Sequence, residues 1–383
     1  MCASEIDCAR ISLAAVVLFT LCFFSQADSS VTRTRTLGDV GVLVRDEANF
    51  WLFPSTIVTG PDRVVFELGG NDEAILYTPD VYGFEKWAGG TISFRSKRIG
   101  AFWSEASTTK PFAAFNSLPL PLDRKLDLFF GSTTSYGSFG MHLNLASALW
   151  RTKTDPGSEV ETSITQTQLA LGFSGNRVDT RFDYRFAVYD PTGPKITGHA
   201  LGFRSRFFKA IGDRLVLVPF VDFDLALEKS ADEMDTKGRG WSFWLGSGLN
   251  YPIGDNDMLV FGLSLLRTNR SNETRDTKSD QTQFDLPFTF GGIESELLKW
   301  LKIRFGFQKA LRKVIVTDES AVHTTTEETV TEAPFVSTAG IGLEYKRFTA
   351  DFSFHTSLFK RGPYFLSGAA GTLFNLVSVT YRL

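Results

Sequence analysis

An alternation of apolar and polar residues with a period of two recurs along most of the chain. In RLVLVPFVDFDLALE (residues 214–228) every odd position from 215 onward is apolar, whereas the even positions include Asp222, Asp224 and Glu228. Successive side chains of a β-strand point to opposite faces, so this stretch predicts a strand with one apolar and one charged face. The same alternation occurs in RFDYRFAVY (181–189), LGFRSRF (201–207), QFDLPFTF (283–290), KIRFGFQ (302–308) and DFSFH (351–355).

The composition agrees with strands that cross a lipid bilayer. The 383 residues include 36 Phe, yet the mean hydropathy is −0.04. Beyond the N-terminus no run of about 20 apolar residues occurs, which excludes a helical membrane protein. Repeated amphipathic strands in lipid must close so that every backbone group is paired. The sequence therefore predicts an all-β fold, a transmembrane antiparallel up-and-down β-barrel of about 14 strands, with 16 as the alternative count.

Within such a barrel, the apolar face of each strand meets lipid and the charged face meets the lumen. In QFDLPFTF the alternation places Phe288 and Phe290 on the lipid face and Asp285 on the luminal face. On the adjacent strands a ladder of charges is predicted to face the lumen, where it either binds an anionic group or forms internal ion pairs. The ladder consists of Arg181, Asp183, Arg185, Arg204, Arg206, Asp222 and Asp224.

The first 27 residues have the pattern of a secretory signal peptide. Arg10 precedes the apolar stretch ISLAAVVLFTLCFF (11–24), and SQA ends at Ala27, which predicts cleavage there. All three cysteines fall within this segment, so neither disulfides nor thiolate metal sites are expected in the mature chain. A mature chain of nearly neutral charge has no excess of basic residues that would bind nucleic acid.

The connections between the predicted strands alternate in length. Short ones such as SGNRVD (174–179) alternate with longer polar ones such as VTDESAVHTTTEETVTEAP (316–334), which we interpret as outer loops. Bacterial outer-membrane barrels have short periplasmic turns and longer extracellular loops. We therefore expect a multi-pass protein of the bacterial outer membrane, with membrane lipid as a partner.

A barrel of 14 to 16 strands encloses a lumen that either conducts or needs a plug. Residues 28–60 precede the first predicted strand and lack strand alternation, so we predict that they form an N-terminal plug. The predicted organisation is a signal peptide (1–27), a plug (28–60) and a barrel (61–383).

The segment GDVGVLVRDEANFWLFPS (38–55) resembles the start of the FadL-type family of outer-membrane transporters for long-chain fatty acids and other hydrophobic compounds. Family members commonly show G-x-A-G-V, then D-D-A-N and an aromatic approach to N-P-A. The resemblance implies an N-terminal hatch inside the barrel, passive uptake of a hydrophobic small molecule and no cofactor. The matching positions, which it implies are plug or gating residues, are Gly38, Gly41, Asp46, Asn49, Trp51, Phe53 (where the family has Asn) and Pro54.

A second apolar stretch, KPFAAFNSLPLPLD (110–123), is predicted to lie outside the barrel wall. Exposed apolar patches often mark ligand or partner sites. We interpret the stretch either as a surface that captures hydrophobic molecules or as a loop folded onto the barrel rim. Its apolar side chains include Phe112, Phe115, Leu118 and Leu120.

No pattern of catalytic residues stands out. The sequence has four His and no HExxH, P-loop or GxSxG motif. We therefore predict a protein that is not an enzyme, without catalytic or metal-binding residues. The alternatives to uptake are a barrel that serves as a structural or secretion-system partner of an envelope protein, and a general porin.

Overall fold

The computed structural model is a closed antiparallel β-barrel. Eighteen strand segments join into one sheet, and the first segment pairs with both the second and the last. Two strands are each interrupted once, so the segments form 16 strands, the larger of the two predicted counts. The structure describes residues 30–69, 86–107, 122–155, 158–190, 195–230, 236–254, 256–320, 323–333, 335–354 and 374–383.

The strands follow one another around the barrel in chain order, which is the up-and-down topology predicted from the sequence. Their bounds are β1 Arg63–Gly69, β2 Lys86–Phe94, β3 Lys97–Ser107, β4 Leu122–Thr134, β5 Gly137–Asp155, β6 Ser158–Ser174, β7 Val178–Asp190, β8 Ile196–Phe207 with Lys209–Ile211, β9 Leu215–Ser230, β10 Lys237–Pro252, β11 Met258–Glu273, β12 Thr277–Leu298, β13 Leu301–Ser320, β14 Thr324–Glu332 with Val336–Tyr345, β15 Phe348–Phe354 and β16 Phe374–Arg382.

Side-chain exposure alternates along the strands as the sequence pattern predicts. In β7, Phe182 is 60% exposed while its neighbour Arg181 is 4% exposed. In β9, Phe223 lies on the outer face and Asp222 is buried on the inner face. The outer surface is therefore apolar and the polar residues of the strands face the lumen.

The assignment of Phe288 and Phe290 to the outer face was wrong. Both rings are buried on the inner face, whereas Leu286 is 56% exposed. The pairing of β12 with β13 shifts between Asp285 and Phe288, across Pro287. A proline cannot donate to the strand ladder, and a bulge reverses the side-chain phase of the residues that follow.

The predicted outer loop at 316–334 is largely strand. β13 continues to Ser320 and β14 begins at Thr324, so the stretch read as a long loop is an extended hairpin. Likewise β12 begins at Thr277, only a few residues after β11 ends. Their polar composition reflects exposure to water rather than the absence of strand structure, because β-branched threonines suit strands.

Residues 30–60, here called the N-terminal segment, precede the barrel and consist of short helices. The α-helix α1 (Val31–Thr36) is capped by Ser30, whose Oγ accepts from the Arg33 N–H. Three 3₁₀ helices follow: η1 Val40–Val42, η2 Glu47–Trp51 and η3 Pro54–Thr59. In the described part of the chain, no helix is long and apolar enough to cross a membrane.

Phe305→Arg should destabilise the barrel because the Phe305 side chain is 52% exposed on the outer face of β13. An arginine facing hydrocarbon near mid-depth costs about 2–4 kcal/mol. Urea titration of the protein in lipid vesicles measures this loss, and Phe305→Leu, which keeps an apolar side chain, is the control. An equal free energy of unfolding for both variants would contradict the assignment of this face to lipid.

Candidate functional site

The N-terminal segment lies in the lumen, between opposite walls of the barrel. η3 contacts β3, β4, β5 and β6, whereas α1 contacts β13, β14, β15 and β16. A short segment can reach both sets of strands only by crossing the interior. Its close fit is shown by Gly140 and Gly306, where an added Cβ would lie 2.3 Å from Pro54 and 2.1 Å from Gly38.

An aromatic cluster joins η2 to the wall formed by β2, β3 and β4. The Trp51 ring meets those of Trp87, Phe102 and Phe129 at centroid distances of 5.5, 5.1 and 5.0 Å. Phe50 stacks on Phe102 at 5.3 Å. All five rings are at least 95% buried. This part of the inner wall is therefore apolar and is covered by the N-terminal segment.

A second apolar cluster covers the wall formed by β9, β11, β12 and β13. Leu43 and its neighbours in the segment pack against inward-facing side chains, and all of these residues are buried. In β12 the phase reversal at Pro287 supplies two phenyl rings that stack with centroids 5.3 Å apart. The wall residues of this cluster are Val218, Phe220, Val260, Phe288, Phe290 and Ala310.

Arg206 of β8 holds η1 and the loop that follows it. Its Nη1 donates to the carbonyl oxygens of Gly41, Val42 and Val44 at 2.8, 3.1 and 2.7 Å. Its Nε donates to Asp179 at 2.9 Å, and Asp179 also pairs with Arg45 of the segment at 3.0 Å. Both Arg206 and Asp179 are fully buried. One barrel guanidinium thus satisfies three backbone acceptors of η1 and this loop.

Glu294 of β12 holds α1 from the other side. It accepts two hydrogen bonds from Arg33, at 2.8 and 2.7 Å, and one from Arg304 at 2.5 Å. Arg304 also pairs with Asp351, which accepts a 2.6 Å hydrogen bond from Ser30. Ser30 and Arg33, at the start and in the middle of α1, are therefore tied into one network of buried charges.

Three further barrel arginines bind backbone oxygens of the segment. Arg63 donates to the carbonyl of Glu47 at 2.8 Å and pairs with its carboxylate at 3.0 Å. Arg181 donates to the carbonyl oxygen of Trp51 at 2.7 Å, and Arg98 donates to that of Ile57 at 3.0 Å. These bonds satisfy carbonyls that short helices leave without partners.

The residues singled out by the FadL-type resemblance all lie in this buried contact. Asp46 caps η2 by accepting from the Ala48 N–H, and Asn49 donates to the Val44 carbonyl at 2.8 Å. Gly38 has φ +78°, and a Cβ there would lie 2.6 Å from the Gly291 oxygen. Phe53 lies under the Arg206 guanidinium at 4.4 Å. The remaining three, Gly41, Trp51 and Pro54, contact the wall as described above.

The predicted charge ladder consists mainly of internal ion pairs. Arg204 pairs with Asp222, Arg185 with Asp224, and Arg181 with Asp183. Three arginines and three aspartates leave no net charge among these six residues, and Arg206, the seventh, binds the N-terminal segment. Their geometry gives no unpaired cationic site for an anionic group.

Sequence reasoning missed several residues that hold the segment, and it did not foresee their pairing. Arg304 has luminal phase in its strand, which was the signal available, whereas Glu294 faces inward only because the phase of β12 reverses at Pro287. Asp127 was likewise unassigned, although it is fully buried and is bound by His142 and Asn144 at 2.7 and 2.8 Å. Among the described residues, no cluster of three or more His, Cys, Asp or Glu side chains could hold a metal ion.

A polar cavity of about 700 Å³ lies between the N-terminal segment and the short turns. Arg45, Asp46 and Glu47 line it on one side, and the turns around Tyr136 and Asn176 line it on the other. The predicted capture residues Phe112, Phe115, Leu118 and Leu120 fall outside the described residues.

Asp39→Asn should strengthen binding of the N-terminal segment at neutral pH. Burial raises the pKa of the Asp39 carboxyl to about 6, against the smaller opposing effects of Arg35 and Arg204. Because the buried carboxyl favours its protonated form, the segment is bound most tightly below about pH 4. This extra binding free energy is lost as pH rises through 6. Between pH 4 and 7.5 the loss should be about 2 kcal/mol.

Hydrogen exchange of the segment measured at both pH values tests this dependence. Asn also tolerates the positive φ of 62° at this position. The Asn variant should therefore show the smaller pH dependence, and an unchanged dependence would exclude Asp39 as its source.

No family model matches the sequence, and no curated protein matches it. Solved structures with a similar barrel include CdiB from Escherichia coli (TM-score 0.41, 10% identity), where the match covers 85% of this chain but only 63% of that one. The toluene transporter TodX from Pseudomonas putida matches with TM-score 0.37 and 10% identity over 93% of this chain and 96% of that one. The FrpB iron transporter from Neisseria meningitidis matches with TM-score 0.39 and 8% identity over 84% and 81% of the two chains. At this level the likeness concerns barrel architecture alone.

Proposed function

We propose that this chain is an outer-membrane transporter of the FadL type, which passes hydrophobic small molecules down their concentration gradient. In this proposal residues 30–60 act as a hatch that closes the lumen to water and ions. The substrate class is fatty-acid-like, because the resemblance in residues 38–55 is to transporters of such compounds. The apolar outer surface of the barrel supports a location in the membrane.

The observation that carries the proposal is the pair of apolar patches that the otherwise polar inner wall presents to the N-terminal segment. The lumen of a water-filled porin is polar. Here the wall behind the N-terminal segment presents buried aromatic side chains on both sides, including Phe102, Phe129, Phe220 and Phe290. A hydrophobic molecule could replace the segment's own apolar side chains against these walls without exposing them to water.

The polar contacts favour a segment that shifts rather than one that unfolds. Arg206 holds η1 and Glu294 holds α1, whereas the apolar contacts of Trp51 belong to η2. The cavity of about 700 Å³ beside η2 and η3 provides space on the short-turn side. A shift of η2 towards that cavity would uncover the aromatic wall while the contacts of α1 are kept.

Flux measurements in proteoliposomes test the proposal. The protein should accelerate entry of a fluorescent long-chain fatty acid and leave the efflux of a disaccharide at the rate of empty vesicles. A four-carbon acid is the matched control, since it has the same carboxylate and too little apolar surface to gain from the aromatic wall.

Each alternative predicts a different result. Equal acceleration of the disaccharide would identify a general porin. No acceleration of either solute by a correctly assembled barrel would exclude transport and favour a structural or secretion partner, which should then co-purify through the outer hairpins.

A further inference from the structure

Four of the short turns at one rim of the barrel carry exposed cations with few anions, whereas the β10–β11 turn of that rim carries Asp257. Arg95 and Lys97 lie at the β2–β3 turn, Arg177 at the β6–β7 turn, and Lys346 and Arg347 at the β14–β15 turn. The β8–β9 connection adds Lys209 and Arg214. In the described residues of these turns Asp213 is the one exposed carboxylate, and none of the seven cations forms an ion pair there.

Several of these cations lie against aromatic rings on the outer surface of the barrel. The Lys97 ammonium lies 6.0 Å from the centroid of the Phe130 ring, which faces outward. Arg95 lies 5.5 Å from the ring of Phe94, which is 67% exposed, and Lys346 lies 5.1 Å from Tyr345. These charges therefore point towards the surroundings of the barrel and not into its lumen.

Exposed apolar side chains next to the cations place them at the edge of the apolar outer surface of the barrel. Phe94, Ile211 and Phe348 are 67%, 45% and 45% exposed, and each lies one to three residues from a cation. Apolar anchors beside lysine and arginine mark the boundary between hydrocarbon and headgroups. The opposite rim differs, because the β13–β14 hairpin exposes five carboxylates: Asp318, Glu319, Glu327, Glu328 and Glu332.

We propose that this cationic rim binds the headgroups of anionic phospholipids. The proposal rests on the membrane location proposed above. Basic side chains near a membrane surface each attract anionic lipid with roughly 1 kcal/mol, which corresponds to about fivefold in binding. The rim would fix the depth of the barrel in the leaflet on the short-turn side and concentrate anionic lipid around it.

Lipid selectivity measured by tryptophan quenching tests the proposal. The protein is reconstituted with brominated phosphatidylglycerol or brominated phosphatidylcholine, and the relative binding constants are compared. We expect a preference of about fivefold for phosphatidylglycerol at low ionic strength. The preference should vanish in 1 M salt, where the Debye length is about 3 Å.

The test variant carries Arg95→Gln, Lys97→Gln, Lys346→Gln and Arg347→Gln, which should remove most of the preference. The matched control neutralises four exposed cations towards the opposite rim (Lys86, Lys195, Arg239 and Arg275) and should retain it. A charge-conserving variant, with Lys and Arg exchanged at the same four rim positions, should also retain it and controls for misfolding.

Equal binding of the two lipids, or an unchanged preference in the test variant, would overturn the proposal. A rim that bound an acidic soluble protein instead of lipid would give equal binding of the two lipids. Fatty-acid flux in the same vesicles separates this failure from failure of the proposed function, because flux should persist in the test variant.

Discussion

Deleting residues 30–60 should leave a barrel that assembles and conducts ions, whereas the complete chain should be nearly silent in a planar bilayer. No strand pairing involves these residues, so the closed hydrogen-bond ladder remains complete without them. Barrels of 16 to 18 strands leave an aqueous channel when nothing fills them. Removing the segment would also expose the arginines and carboxylates that now hold it, which makes the lumen favourable for ions.

Two measurements distinguish an open barrel from a misfolded one. The deleted protein should keep the heat-modifiable gel mobility of an assembled barrel and show a steady single-channel conductance. Substitution of Tyr136, which is 87% exposed in a short turn, should change neither property and is the control. Unchanged conductance of the assembled deletion variant would mean that the segment does not close the lumen.

Replacing Arg206 by alanine should release the middle of the N-terminal segment while α1 stays bound. The change leaves Asp179 with one cation fewer and removes the donor of the Gly41 and Val42 carbonyls, while the Val44 carbonyl keeps only its bond from Asn49. Removing one partner of a buried pair typically costs about 3–5 kcal/mol. We expect that cost to fall on the segment, because β8 keeps its backbone pairing with β7 and β9.

Amide hydrogen exchange resolves this effect along the chain. Exchange of residues 40–53 should accelerate strongly in Arg206→Ala and less in Arg206→Lys, since an ammonium cannot reach as many acceptors as a guanidinium. Lys302→Ala is the matched control, because Lys302 is also a buried inward cation and pairs with Glu344 of the barrel. Similar exchange of residues 40–53 in the Arg206 and Lys302 variants would contradict the role given to Arg206.

Alternation in the sequence was sufficient to predict the barrel and most inward and outward positions. Arg181, Asp222 and Arg304 face inward because their neighbours Phe182, Phe223 and Phe305 must face lipid, and this constraint is local. The prediction of inward and outward positions fails after Pro287, where a bulge reverses the side-chain phase. The alternation itself does not indicate where a bulge lies. The lengths of β11 to β14 were also underdetermined, since water-exposed hairpins and loops have similar polar compositions.

The contacts inside the lumen could not be predicted in the same way. Arg206 binds carbonyls more than 160 residues earlier in the chain. Glu294 pairs with Arg33, which is one of many cations in the chain. Such partners depend on the height and rotation of each strand around the barrel, which period-two alternation does not specify. The resemblance in residues 38–55 indicated which segment to examine but not what holds it.

If the N-terminal segment must move for a hydrophobic molecule to pass, a disulfide across its contact with the wall should stop transport. The hydroxyl oxygens of Ser55 and Ser174 are 2.7 Å apart, which is close enough for a bridge after Ser55→Cys and Ser174→Cys. Cys2, Cys8 and Cys22 would be replaced by serine. The oxidised protein should lose fatty-acid flux and regain it on reduction, while either single-cysteine variant transports under both conditions. Full flux through the oxidised, cross-linked barrel would contradict the account.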